Sequence, residues 1–190
     1  MKKFCSAFLS VILIICLSAC TVEKALPTVE PGHVSENVYE NPSVGLVLRL
    51  DGDWLMNGPT DTSGENYQDM YAVKDDGTAS MQVSIVRLGR MYGELLSVDE
   101  YIGLISADMD ADMERAGYEN GEWALTAVDF AGEKQSGVYW TAEYELEGRM
   151  YPYFTKSVYL KQGDYIVTVT VHSVLDDITD ELLGLFDTNI

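Results

Sequence analysis

Between Trp123 and His172 the sequence passes through four alternating stretches, about 123–130, 137–146, 150–160 and 165–172. Glu147-Gly148-Arg149 and Gln162-Gly163-Asp164 join the last three, and links that short favour antiparallel hairpins over crossovers. Upstream, Met70–Lys74 and Ala79–Arg87 flank Asp75-Asp76-Gly77, a tight-hairpin signal because Asp and Gly tolerate positive φ. In the second of these strands Met81, Val83 and Ile85 face a core, while Ser80, Gln82 and Ser84 face away. Val44, Leu46, Leu48 and Leu50 also alternate, and with Trp54-Leu55-Met56 beyond Asp51-Gly52-Asp53 they suggest a short strand pair. Residues 57–68 read as a polar loop.

The periodicity becomes helical in two places. Ser97-Val98-Asp99-Glu100 is a capping box, in which the serine hydroxyl accepts from an early amide and Glu100 reaches back. Val98, Tyr101, Ile102, Ile105, Met109 and Met113 then form one apolar stripe, with Gly117 placed to end the helix in the left-handed conformation. A second amphipathic helix is expected over Ile178–Phe186, with Asp176 or Asp177 near its positive end. The expected fold class is α+β, one domain over 39–190, with an antiparallel β-sheet flanked by helices.

NPSVGLVLRLDGDW at 41–54, SVDEYIGLISADM at 97–109 and KSVYLKQGDYIVTVTVHS at 156–173, ahead of TDELLGLFD, occur in an order that resembles the PsbP-like lipoprotein domains. The likeness spans nearly the whole domain and rests on glycines, aromatics and apolar alternation. It implies an α/β/α sandwich and relatives that serve as assembly or binding factors; it transfers no catalytic residue and no photosynthetic role.

The first residues fix an expected location. Met1-Lys2-Lys3 precede an uncharged apolar run, Phe4–Leu17, and then Ser18-Ala19-Cys20. This is the layout of a secretory leader. The LSAC ending is similar to lipoprotein signals, with Leu17, Ser18 and Ala19 recognised by the peptidase and Cys20 taking lipid. An uncleaved anchor would need roughly 20 apolar residues and would leave the cysteine's position unexplained. Residues 1–19 are therefore expected to be removed, and 20–38, which contain Pro27, Pro31, Gly32 and His33, to form a lipidated tether. The domain would sit on the extracytoplasmic face of a membrane, at the cell surface or in the periplasm. Cys5 and Cys16 leave with the leader, so with Cys20 acylated no disulfide is possible and a core must supply stability. Losing Lys2 and Lys3 takes the formal charge from −19 to −21. That charge makes nucleic acid a poor partner and leaves membrane attachment to the acyl chains.

Asp108, Asp110, Asp112 and Glu119 imitate a calcium loop, but Met113 stands where such a loop needs glycine, and on a helix these acids scatter. His172 is the only histidine of the expected domain, and no GxSxG, SxxK or HExxH pattern accompanies it. No catalytic residue, metal or cofactor is nominated. The late strands offer a binding face instead. One side reads Val138, Trp140, Ala142, Tyr144 and Leu146, then Phe154, Val158 and Leu160, then Tyr165, Val167, Val169 and Val171. The other reads Tyr139, Thr141, Glu143 and Glu145, then Tyr151, Tyr153, Thr155, Ser157 and Tyr159, then Thr168, Thr170 and His172. Tyr139, Tyr151, Tyr153, Tyr159 and His172 are accordingly expected to meet a protein or an envelope polymer. The alternatives are a small hydrolase using His172 or a carboxylate pair, and cation binding by the acidic surface.

Overall fold

The computed structural model describes residues 28–188, so the leader and Cys20 lie outside the described residues. Its strands are β1 (His33–Ser35), β2 (Val38–Asn41), β3 (Leu46–Arg49), β4 (Trp54–Asn57), β5 (Asn66–Lys74), β6 (Ala79–Arg87), β7 (Glu119–Phe130), β8 (Glu133–Leu146), β9 (Arg149–Gln162), β10 (Tyr165–Val174) and β11 (Phe186–Thr188). The helices are α1 (Gly89–Leu95), α2 (Val98–Ile105), α3 (Met109–Arg115) and α4 (Thr179–Leu183). The fold is α+β, as expected. A seven-stranded antiparallel sheet runs β4-β5-β6-β10-β9-β8-β7, and a smaller sheet runs β1-β2-β3-β11.

Turn chemistry sets the registers. Glu147 (φ 52°) and Gly148 (φ 76°) form a two-residue turn with both φ values positive, which matches the twist of the strands it joins, and Leu146 pairs with Arg149. Ala131 and Gly132 turn β7 into β8 in the same way, at φ 53° and 84°.

The main core lies between the two sheets. Met81, Val83, Ile85, Val158, Val167, Val169 and Val171 are sealed from solvent against Tyr39, Leu46 and Leu48 of the small sheet and Leu182, Leu183 and Phe186 of the C-terminus. On the opposite face Ile102 of α2 packs with Val138, Tyr159 and Ile166, joined by Val98, Tyr101, Met109 and Trp123. Helices thus flank the long sheet on both sides, and the layer holding α4 also contains the small sheet.

Four expectations change. The strand pair of residues 44–56 is split: β3 pairs with β2 and β11, while β4 pairs with β5 in the other sheet. The long helix from Ser97 keeps its capping box but breaks after Ile105, where the buried Ser106 hydroxyl donates to the Ile102 carbonyl at 2.7 Å, a back-bond that bends helices. The C-terminal helix ends at Leu183, because Phe186 turns into a strand opposite Leu48 and reaches Phe130 at 5.8 Å.

The fourth concerns the described part of the expected tether, which is built into the domain. Val29 is buried, and β1 pairs with β2. A bulge between Gln68 and Met70 sends Asp69 inward, where its carboxylate accepts from the Gly32 amide (2.8 Å), the Tyr39 hydroxyl (2.5 Å) and the Asn41 amide (2.8 Å). Burial, then the Asp69 charge, drives the Tyr39 phenol far above its ordinary pKa, so it stays a donor. Only glycine fits at position 32, since a Cβ would stand 2.5 Å from the Tyr39 ring and 2.8 Å from Asp69.

Candidate functional site

The two-residue turn at Glu147-Gly148 makes even-numbered residues of β8 share a face with odd-numbered residues of β9. Trp140 lies opposite Thr155, Ala142 opposite Tyr153, and Tyr144 opposite Tyr151; β10 adds His172 beside Thr155 and Thr170 beside Ser157. The expected faces of β8 are therefore exchanged. Trp140 and Tyr144 join the tyrosines of β9, and Tyr139 falls on the other side. There its hydroxyl donates to Asp177 at 2.7 Å, and Lys156, itself 2.7 Å from Asp180, stands 5.1 Å from the ring centroid. Burial and the Asp177 carboxylate push the Tyr139 phenol up to about 12. It braces the approach to α4 and belongs to no shared site with Tyr151, Tyr153, Tyr159 and His172.

Helices α2 and α3 divide the remaining face. Tyr159 lies beneath α2 with Tyr101 at 6.1 Å, only 6% exposed, and burial raises its phenol to about 12. The other half carries a connected aromatic group. Tyr153 is its centre, with Tyr118 at 5.2 Å, Trp140 at 5.4 Å, His172 at 5.5 Å and Tyr144 at 6.0 Å between ring centroids. Tyr118 also meets Trp140 at 5.2 Å, and Tyr144 meets Tyr151 at 5.9 Å. The contacts are tilted or edge-to-face, the arrangements that ring quadrupoles favour. Each of these rings is half-buried. Tyr144, Tyr153 and His172, with Tyr71 and Ser80, line an open cavity of about 170 Å³.

Tyr71, Tyr118, Trp140 and Tyr144 were not among the expected binding residues. The Tyr118 signal was its place after Gly117, which takes φ 84° and leaves the Tyr118 amide bonded to the Met113 carbonyl at 3.0 Å, turning the ring back over the sheet. Trp140 and Tyr144 were within reach of the two-residue turn.

The chemistry of this face is that of a platform. His172 Nδ1 lies 2.8 Å from Thr155 Oγ1, and burial pulls the imidazole down to about 4. It is a neutral hydrogen-bonding group at neutral pH, and no carboxylate lines its cavity. Burial, and next the adjacent Tyr118, raise the Tyr153 phenol, so it too stays neutral.

Elsewhere the acids of the calcium-like stretch face separate partners. Asp110 accepts from the Trp123 indole at 2.7 Å, Asp112 pairs with Arg115 at 2.8 Å, and Met113 is buried. No group of three potential metal ligands occurs among the described residues. A larger cleft of about 370 Å³ between α2 and β7–β8 is lined by Ile102, Leu125 and Ala127, and the Ser136 hydroxyl donates to Asp99 within it at 2.6 Å. Asp99 and Ser136 thus engage each other, and Thr126 is the remaining polar side chain of the lining.

No protein-family model and no curated protein matches the chain. Among solved structures it is similar to the cyanobacterial PsbP of Synechocystis, at 13% identity over 90% of this chain and 98% of that one, with a TM-score of 0.48. It is also similar to LpqN of Mycobacterium tuberculosis, involved in cell envelope biogenesis, at 13% identity over 74% and 75% of the two chains, with a TM-score of 0.38. The likeness is one of chain path. No residue acquires a role from it.

Proposed function

We propose that this chain is a lipid-anchored, extracytoplasmic and non-catalytic binding module that holds an envelope polymer on the aromatic half of its long sheet. The carrying observation is the connected set of half-buried rings, Tyr118, Trp140, Tyr144, Tyr151 and Tyr153, beside the neutral His172. Aromatic rings offer flat apolar area at little cost in rotamer entropy, and their hydroxyls orient a ligand by hydrogen bonds. Sugar rings have the complementary chemistry, with C–H faces and hydroxyl edges. A formal charge of −19 in the full chain disfavours polyanions, so the polymer is neutral or bears amino sugars. The leader sequence supports the location, with acylation at Cys20 after recognition of Leu17, Ser18 and Ala19.

The test is retention of the purified protein on insoluble cell-wall polysaccharide. Tyr144→Ser with Tyr151→Ser is expected to abolish retention while circular dichroism and the melting temperature stay near wild type. Retention equal to wild type rejects this face, and capture of a protein in place of the polysaccharide replaces the polymer with a protein partner.

A further inference from the structure

From the anchored reading and the fold together, we infer that α1 is a membrane-contact element that rests on the headgroup and acyl boundary of the bilayer holding the lipid anchor. The inference rests on acylation at Cys20 and goes beyond it in assigning an orientation and a surface. Helix α1 presents Met91, Tyr92 and Leu95 to solvent at 63%, 57% and 78% exposure, an apolar face that no element of the described residues covers. Isolated exposed apolar residues are ordinary, but three on two turns of one helix form a patch.

The occupant is identified by where the chain enters the fold. Val29, Glu30 and Pro31 line a cavity with Arg87 and Tyr165, at the end of the long sheet where β6 finishes and β10 begins. Helix α1 starts two residues beyond Arg87, and Gly93 lies so close to the β9–β10 turn that a Cβ there would meet the Asp164 Cα at 2.6 Å. The entry of the tether and α1 therefore occupy one end of the molecule. Val29 belongs to the core on one face of the sheet, while Leu88, just ahead of α1, packs on the other.

The tether is also short. Because the fold takes up the chain from Val29, only the eight peptide links from Cys20 to Thr28 separate lipid from domain, at most about 28 Å when fully extended. Strand β6, with nine residues, is itself about 30 Å long, so bringing the opposite end of the sheet to the bilayer would consume the whole reach. The end bearing α1 is the one that the anchor holds near the surface. Arg87 is paired with Asp164 at 3.1 Å and Lys161 donates to the Leu96 carbonyl at 2.6 Å, so the cations of this end are engaged within the protein and the contact proposed is apolar.

The test uses the full acylated chain in phosphatidylcholine–phosphatidylglycerol vesicles with brominated acyl chains. Single thiols are introduced by Leu95→Cys and, at the β5–β6 turn on the opposite end, Asp76→Cys, each carrying a polarity-sensitive fluorophore. The expected result is a blue shift and strong quenching at position 95 with neither at position 76. Equal quenching at both positions, or none at position 95, overturns the orientation. The parent protein supplies the separate check on the anchor. Reaction of its Cys20 with the same thiol reagent shows that the acylated reading has failed, whereas an unreactive parent with an unquenched position 95 leaves the anchor standing and removes only the membrane contact.

Discussion

Acidification should destabilise the protein through one imidazole. His172 is pulled down to about 4 by burial, against an ordinary 6.5, so the folded state binds this proton more weakly than the unfolded chain. As pH falls through 6.5 the unfolded chain takes up the proton first. Stability is therefore intact above that value, falls between 6.5 and 4, and levels off below. The whole displacement is worth about 3 kcal/mol, and about 2 kcal/mol of it is lost between about pH 7 and pH 5. For a domain of this size that loss lowers the melting temperature by roughly 4–8 °C.

Urea unfolding of the wild type and of His172→Asn at both pH values isolates the effect. The asparagine keeps a hydrogen-bonding group near the Nδ1 position that faces Thr155 but cannot titrate. The wild type should lose about 2 kcal/mol more than the variant on acidification. The chain has two histidines, so an NMR titration separates His172 from the exposed His33 and reads the proton directly. Parallel stability curves, or a His172 imidazole that titrates at its ordinary value, would refute the burial argument.

Three substitutions probe the frame that carries the site. Asp69→Ala strips the acceptor from Gly32, Tyr39 and Asn41, and should cost about 3 kcal/mol or more in urea unfolding. Gly32→Ala should instead free the N-terminal strap, read as faster proteolysis ahead of Val38, because its Cβ has no room beside Tyr39 and Asp69. Gly137→Ala puts a Cβ 2.5 Å from the Ser157 carbonyl oxygen, so the β8–β9 pairing must spread, at a cost of about 1–3 kcal/mol in thermal unfolding.

Hairpin order and core strands were legible in the sequence because they depend on local rules. Met81, Val83 and Ile85 alternate into the core as their pattern requires, and Ser97 caps its helix through Glu100. The partner-binding face was legible only in part. Counting Glu147-Gly148-Arg149 as a three-residue link pairs even with even residues across β8 and β9, whereas the two-residue turn pairs even with odd. A miscount of one exchanges every side chain of β8 between faces, and that alone put Tyr139 among the binding residues in place of Trp140 and Tyr144. The anchorage of residues 28–37 was hidden for a different reason. It depends on a bulge that turns Asp69 against its own alternation toward Gly32, 37 residues away, and no periodicity reports a contact between a loop glycine and a displaced carboxylate.

The division of the long sheet into a covered and an open half follows from lengths. Strands β8 and β9 have 14 residues each, about 45 Å of extended chain. Helices α2 and α3 have eight and seven, together about 22 Å even if laid end to end. They can roof only about half of the face, so the rest must tolerate water on one side. Aliphatic residues there would form a sticky open patch. Tyrosine, tryptophan, threonine and histidine bury a ring or methyl against the sheet while keeping a polar tip outward, which suits them to half-burial. The composition changes at the boundary accordingly, from Val138 and Ile166 beneath the helices to Tyr144, Tyr153 and His172 beyond them. The helix break at Ser106 and the cap at Gly117 then do more than shape two short helices: they set where the roof ends, and Tyr118 is the first ring past its edge. Lengthening α3 would close the aromatic face, so its width is a property of the helical segment as much as of the strands that carry the rings.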